Sequence, residues 1–531
     1  MIAHFRPIFV CFIALALGLW LGKIWLYDSI WYFVAIVSIL VFCLIMLLFK
    51  IKFKQSKFVD FFWNIRKWVI CILIPVLVGF GLFYLEYASF KIDFKPKTGE
   101  IYNISGTIDT NYIIKEKGVY FIISNVSVTN NSTGTAYLDR NVFVYLCHPE
   151  NGQYTEEDLA GLKPGIKIVV EGELTPAYVF AYDGIYSFAY TNNFQHATYT
   201  TLENISILGG QMGFWDSVRE YIRELYCKYM DARYAGLAFS VLVGDKTALP
   251  SDIALNFQIS GIAHVVAVSG LNTAFIMMLL MFILNKCRIN RWIKLSIVIG
   301  ILWFYAMLCG MAPSVVRASL MSIFLLIGQL FGKQTDSLNS ISLSGILLLL
   351  IFPLYIFDLS FLLSYAGVFG IFLLYPVFKK WLKVKKGSFL RDNLALTFSA
   401  TLGTLPLIIN AFGYVSIVGL LANLILVPLF GYAFMVLFGA TLLALLIPFA
   451  GYLFSIIQYG FWVVDKGAML FASVPYAVVA VKPIADYALA GYYGCMFFSS
   501  RFCVANPYAK ALLIEITATV FIVGTILSML C

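Results

Sequence analysis

The sequence predicts a polytopic α-helical membrane protein with a small all-β domain inserted near its N-terminal end. Three observations predict it. Of 531 residues, 61% are hydrophobic and only 12% charged, about half the charged share of a soluble protein. Apolar runs long enough to cross a bilayer recur along the chain, a crossing helix needing about 20 such residues. One long polar segment, Phe90 to Gly213, interrupts them.

Three apolar spans open the chain, at Pro7–Leu26, Ile30–Phe49 and Trp68–Tyr87. Only His4 and Arg6 precede the first, and no small-residue cleavage site follows it, so it reads as a retained helix rather than a signal peptide. Between the second and third lie Lys50, Lys52, Lys54, Lys57, Arg66 and Lys67 against Asp60. Short basic loops stay cytoplasmic, which places the N-terminus inside and sends the third span outward. Residues 1–89 thus form a three-helix unit.

The polar segment, taken as a domain over 90–213, reads as short strands (ISGTIDT, VYFIISNVSV, NVFVYLC, KIVVEGEL) separated by KEKG, NNSTG, PENG and LKPG. β-branched and aromatic runs bounded by Gly, Asn and Pro point to a small antiparallel barrel or sandwich. The KPG-x-x-I-x-V-x-G-x-L pattern is similar to the turn and strand of an OB-fold, and the topology makes the domain extracytoplasmic. It holds eight Lys or Arg and thirteen Asp or Glu, a net of −5. The chain's overall +9 is therefore not a nucleic-acid footprint on this domain. Cys147 is its only cysteine, which excludes an internal disulfide.

Residues 214–260 form an amphipathic stretch and a re-entrant segment. Arg219, Glu220, Arg223, Glu224 and Lys228 recur at near-helical spacing, the pattern of a helix lying along an interface or of an ordinary surface helix. From residue 261 to 531 the chain is almost continuous span: Ile262–Leu284, Trp292–Cys309, Val315–Phe331, Ile341–Phe357 and Phe361–Phe378. Basic loops at Lys286–Lys294 and Lys379–Arg391 both come out cytoplasmic, in agreement with the first. Beyond Arg391, Leu394–Asn410 and Val415–Pro448 hold two or three spans interrupted at Pro406 and Pro428, followed by Gly451–Val474, a re-entrant Tyr487–Phe498 and Ala511–Leu530. The total is about eleven helices, some broken or re-entrant.

Polar side chains in lipid are costly, at least about 2.5 kcal/mol for a charge at a helix centre, so they mark cavities or partners. Arg317 in MAPSVVRASLM, after Pro313 and Ser314, is either a contact for phosphate or carboxylate in a pathway or a paired structural arginine. Asp358, beside Ser360 and Ser364, either caps the following helix or pairs with Arg317; capping is favoured. In SGIAHVVAVSGLNTAF, His264, Ser269, Gly270 and Asn272 interrupt an apolar run, as close packing or a broken helix would require. Four histidines without an H-x-H or H-E-x-x-H pattern, and no P-loop lysine, argue against a metal hydrolase or an ATPase. No catalytic residue, cofactor or metal site is expected.

LVGDKTALPSDIALNFQISGIAHVVAVSGLN, CGMAPSVVRASLM, DLSFLLSYAGVFGI and TLGTLPLIINAFGYVSIVGLLANLILVPL, in this order, resemble successive blocks of the ComEC competence family. The resemblance is strong from about Leu242 to Phe430 and includes Asn423 in the N-x-x-x-x-P ending. It implies an inner-membrane channel that passes single-stranded DNA during natural transformation. It also implies an OB-fold outer domain, on which Tyr112, Tyr120, Phe121, Phe143 and Tyr145 are candidates for base stacking. Arg317 would contact phosphates within the channel. Implied partners are single-stranded DNA, membrane lipids, and separate DNA receptor, nuclease and cytoplasmic helicase or ATPase proteins. Asn272 stands where the family usually has histidine. The metallo-β-lactamase-like domain of many members does not follow before Cys531, so nuclease activity is expected from another protein. Two other readings stay open: a transporter of another anionic solute, and a non-transporting scaffold for competence or envelope machinery.

Overall fold

The structure, a computed structural model, describes residues 7–28, 57–89 and 94–530 apart from 116–117, 131–133, 150–153, 156–157, 160, 177–192, 246, 267, 288, 332–336, 383–388 and 501–506. The span expected at Ile30–Phe49 lies outside these residues. Two helices come first, α1 (Pro7–Asp28) and α2 (Lys57–Ser89). They run parallel: Gly18 meets Val76, and Gly22 meets the Phe83 ring. A β-carbon on Gly18 would stand 2.2 Å from the Val76 carbonyl oxygen, so glycine sets the approach. Helix α2 begins at Lys57, inside the stretch read as a basic loop, and continues through Pro75.

The polar segment folds into eight strands: β1 (Ile101–Ile108), β2 (Ile113–Lys115), β3 (Gly118–Asn130), β4 (Gly134–Tyr137), β5 (Asn141–Cys147), β6 (Ile166–Pro176), β7 (Phe194–Thr200) and β8 (Ile205–Gly210). Five of them close a barrel in the order β1-β3-β5-β7-β6, with β6 pairing back onto β1. The β5–β7 contact is parallel and the other four are antiparallel. Alternate residues point inward, so Tyr102, Ile104, Val119, Phe121, Val142, Val144, Ile168 and Val170 fill the barrel. The four strands expected from the sequence correspond to β1, β3, β5 and β6, and the structure adds the short β2 and β4 and the later β7 and β8. Strand β7 carries Gln195, His196, Thr198 and Thr200 buried, which hides its alternation.

The barrel joins the helical part through α3 (Phe214–Tyr229), followed by the short helices α4 (Ala232–Val243) and α5 (Ser251–Ile259). Lys163 of the barrel bonds Glu220 of α3 at 2.9 Å. Arg219 donates to the carbonyls of Leu308 and Met307 at 2.8 and 3.1 Å, so a cation sits at the negative end of the next long helix but one. These contacts place Arg219 and Glu220 against protein, with Glu224 and Lys228 left exposed, while Ile222, Leu225 and Tyr226 are buried on the other side of α3.

The bundle then runs through α6 (Gly270–Lys286), α7 (Arg291–Leu308), α8 (Pro313–Leu330), α9 (Ser337–Ile351), α10 (Leu359–Trp381) and α11 (Phe389–Phe412). Next come a strand β9 (Tyr414–Ser416), α12 (Gly419–Leu446), α13 (Phe454–Ala472), β10 (Val478–Ala480) paired with β9, α14 (Asp486–Ser499) and α15 (Pro507–Leu530). Among the described residues, five helices are long and apolar enough to cross a membrane, those over Cys71–Ser89, Arg291–Leu308, Leu359–Trp381, Arg391–Phe412 and Gly419–Leu446. The protein is a membrane protein of helices with one β domain. The breaks expected at Pro406 and Pro428 do not occur: both prolines lie inside continuous helices, α11 and α12. Neighbouring helices stabilise a proline in a spanning helix, where it would end a soluble one.

Helices α10 and α11 cross where small residues meet. A β-carbon on Gly403 would lie 2.5 Å from the Ala366 carbonyl oxygen, and one on Gly370 equally close to that of Ser399. Ala366 and Gly370, like Ser399 and Gly403, are four apart, the spacing that brings two backbones together in lipid.

Candidate functional site

The motif residues of three helices converge at the end of the bundle that faces the barrel. Arg219 of α3 holds the C-terminus of α7 there, and α8 starts five residues later. Pro313 opens α8, where its missing N–H costs nothing. Ser314 Oγ donates to the Val268 carbonyl at 2.7 Å, tying α8 to the chain just before α6. Ser269 caps α6 by accepting from the Leu271 N–H at 3.2 Å. Gly270 is the first residue of α6, and a β-carbon there would stand 3.3 Å from the Ala318 methyl and 3.5 Å from Arg317 Nη2.

Arg317 is the centre of this arrangement and is 2% exposed. Its side chain turns back toward the start of α8, as helical side chains do, and Nη2 donates to the Ser314 carbonyl at 3.3 Å. The guanidinium lies 5.3 Å from the centre of the Tyr365 ring, a cation–π contact. Tyr365 is held in turn by the Ser344 hydroxyl at 3.2 Å, by Phe361 at 4.4 Å and by Phe12 of α1 at 5.2 Å. Nη1 of Arg317 is buried without a hydrogen-bond partner among the described residues. A buried charge with one donor unused is a costly arrangement; Arg317 makes no salt bridge among the described residues, and Tyr365 and the Asp358 carboxylate act on it only at longer range.

Asp358 caps α10, accepting from the Phe361 N–H at 2.9 Å, which is the favoured of its two expected roles. Ser360 is exposed beside it and also bonds it, and Ser364 is half-buried one turn on. His264 sits in a 3-10 turn over Ala263–Val265, its ring on the Gly261 backbone, and is exposed. The structure therefore brings together Ser269, Gly270, Pro313, Ser314, Arg317 and Asp358. Asn423, half-buried near the start of α12, shares no described contact with them.

Two expectations need correction. Asn272, a candidate channel contact, lines no open space: it is fully buried and donates to the Val241 carbonyl at 3.1 Å, two residues beyond Gly270 and on the packed side of α6. Phe121 cannot stack on a ligand, because it is 0% exposed inside the barrel; adjacent residues of a strand face opposite sides, so Tyr120 points out and Phe121 in. Tyr112 is half-buried against the barrel core. The other aromatics form a patch on the outer wall. Tyr120, Tyr145 and Tyr199 are direct partners across β3, β5 and β7, and Phe143 packs on Tyr120 at 5.2 Å and on Phe194 at 5.1 Å. Tyr199 is 59% exposed.

Sequence reasoning missed three partners. Tyr365 looked like one more aromatic in a span. Asp465, a lone acid in FSIIQYGFWVVDKGAML, is 1% exposed and pairs with Arg233 at 3.2 Å, which also holds Asp252 at 2.7 Å. An acid in an apolar run was the available signal. Asn410 donates to the Ile484 carbonyl at 2.7 Å and accepts from its N–H at 2.6 Å.

Residues 241–502 match the family described as Competence protein. The ComE operon protein 3 of Bacillus subtilis (strain 168) is 32% identical over 224 residues, 42% of this chain and 28% of that protein. An uncharacterized protein of Aquifex aeolicus (strain VF5) is 29% identical over 236 residues, 44% of this chain and 54% of the other. The uncharacterized protein YcaI of Escherichia coli (strain K12) is 26% identical over 219 residues, 40% of this chain and 29% of the other. The matched stretch thus spans from under a third to about half of each relative's length. No solved structure matches the chain. The matched region holds all four motif blocks together with Arg317, Ser314, Gly270 and Tyr365, and residues 241–502 belong to the competence protein family.

Proposed function

We propose that the protein is an inner-membrane channel that takes up single-stranded DNA during natural transformation, with residues 90–213 outside and the N-terminus in the cytoplasm. The observation that carries this reading is the buried Arg317 with an unused donor, at the meeting of the α6, α8 and α10 N-termini. Helix N-termini favour anions, and broken or short helices in transporters aim such ends at anionic substrates. A phosphodiester oxygen would complete the hydrogen bonding of Nη1. The cluster is closed around Arg317 in this structure, so the strand passes only after the surrounding helix ends part.

The barrel supports the same reading. Its order, with the third and fifth barrel strands parallel, is that of an OB-fold, and its outer wall of Tyr120, Phe143, Tyr145 and Tyr199 offers faces on which bases stack. With a net charge of −5 over residues 90–213, any contact of the barrel with a strand rests on these rings and not on neutralised phosphates.

The test is a transformation assay in a deletion strain complemented with wild-type or Arg317→Ala protein. The expected result is loss of uptake without the protein, restoration by the wild type, and a large loss with the variant at equal membrane abundance. Normal transformation of the deletion strain would overturn the reading.

A further inference from the structure

We propose that the open faces of α13 and α15 form a lateral interface with a second copy of this chain, Lys466 of one copy pairing with Glu515 of the next. Each residue is the one exposed charge on an otherwise apolar helix face. Neither is paired within its own copy among the described residues.

Helix α13 buries Phe454, Ile457, Phe461, Val464, Asp465 and Ala468 against the bundle. Tyr459, Trp462, Val463, Met469 and Leu470 are exposed on its other side, with Lys466 among them. These positions recur at steps of three and four residues, so they form one continuous stripe. Asp465 does not neutralise its neighbour, because it points inward and holds Arg233 at 3.2 Å. No acid stands three or four residues from Lys466 in either direction.

Helix α15 meets α14 through Ile514, Thr517 and Phe521. Cys495 Sγ donates to the Ile514 carbonyl at 3.6 Å. A β-carbon on Gly491 would stand 2.9 Å from the Thr517 carbonyl oxygen and 2.8 Å from the Phe521 nitrogen. The opposite face carries Leu512, Ile516, Val520 and Val523, all exposed, around Glu515. Ala511, Glu515 and Thr519 lie four apart there, a row that lets another helix come close and offers it hydrogen bonds. Lys510 is spent on the Ser500 carbonyl at 2.7 Å. Glu515 lies about 12 Å along a helix about 36 Å long, and its short side chain does not reach the headgroups as a lysine stem can. A carboxylate so placed calls for a cation or a donor beside it.

Copies in one membrane share its orientation, so a contact between them needs both charges at the same level. Helix α13 ends, and α14 begins, on either side of β10 in the β9–β10 ladder. Lys466 stands about 9 Å from the end of α13. Glu515 follows Ile514, which faces Cys495, about 13 Å along α14 from its start. The offset of about 4 Å is less than one helical turn, and the flexible lysine stem spans it. This chain therefore presents both halves of the pair on open apolar faces at matching level, which makes a second copy the occupant that fits. The apolar residues around the pair exclude water and strengthen it.

The test is Förster transfer between donor-labelled and acceptor-labelled full-length protein in liposomes, over a range of protein-to-lipid ratios. Wild-type copies are expected to associate. Lys466→Glu or Glu515→Lys alone sets like charges against each other and is expected to weaken association at least about tenfold. The two reversals combined in one chain should restore it. Both side chains are exposed in the single copy, so unfolding midpoints in detergent are expected to stay unchanged, which separates loss of contact from loss of fold. Wild-type protein that stays monomeric at every ratio would overturn the interface and leave these faces to another helix. Single reversals without effect, or a double reversal that fails to restore association, would overturn it equally. DNA takes no part in the measurement, so the proposal stands or falls apart from the uptake reading.

Discussion

Arg317 rests on the face of Tyr365, 5.3 Å from the ring centre, so a fully enclosed cation is balanced by a π system and a carbonyl instead of a carboxylate. The nearest motif acid, Asp358, spends its oxygens on the N-terminus of α10. The two charges thus have different tasks, as the favoured capping role of Asp358 expects.

This arrangement separates stability from function at Arg317. Replacing a buried ionic group by an apolar one of similar volume is often neutral or stabilising, by about 1–4 kcal/mol. Arg317→Met is expected to leave the unfolding midpoint in detergent unchanged or raised while DNA uptake falls steeply. A variant that unfolds more easily and still takes up DNA would show that the arginine is structural.

Asp358→Ala removes a helix cap and is expected to cost about 1 kcal/mol in denaturant unfolding. Asp358→Ser keeps a capping oxygen without the charge and should recover most of that loss. If serine fails to recover it, the carboxylate acts through Arg317 and not through the cap.

Asn410 imitates a peptide group toward Ile484, meeting both its N–H and its carbonyl. Asn410→Leu leaves both without their side-chain partner and is expected to destabilise the α11–α14 region by about 2 kcal/mol or more. Proteolysis within the segment 481–486 should accelerate in the variant, with cleavage elsewhere unchanged.

In the barrel, His196 is 1% exposed and bonds the Phe94 carbonyl at 2.9 Å. Burial holds its folded pKa below the ordinary value of 6.5, against a smaller opposing effect of that bond. The unfolded chain therefore takes up the proton first as pH falls, and stability rises with pH wherever the unfolded state binds more protons. The barrel is expected to keep full stability above about pH 6.5 and lose it as pH falls toward the folded value. Exchange protection of β7, corrected for intrinsic rates and measured at pH 7.5 and about pH 5.5, should drop in the wild type and less in His196→Gln.

Much of the site was legible because its residues break local rules. A charge in an apolar helix, or Ser-Gly-Leu-Asn inside a hydrophobic run, is conspicuous without coordinates, and Arg317, Ser314, Ser269 and Gly270 were found that way. Asp465 breaks the same rule, but its partner Arg233 lies more than two hundred residues earlier in the chain, and no local pattern joins them. Tyr365 and Tyr199 break no rule, since an aromatic in a span or strand is ordinary until its neighbours are known.

The sequence by itself determined the class of the protein, a membrane chain with one inserted β domain, and the likeness of residues 241–502 to the competence family. Those follow from summed apolar character and ordered short motifs, which are properties of the chain as a string. The tertiary structure decided which face each residue takes and which of two partners it meets. It turned Asn272 and Phe121 into packed interiors, gave Asp358 to a helix end, kept Pro406 and Pro428 inside continuous helices, and left Arg317 with a donor unused. Such outcomes depend on competition among contacts distant in sequence, and only the folded arrangement resolves that competition.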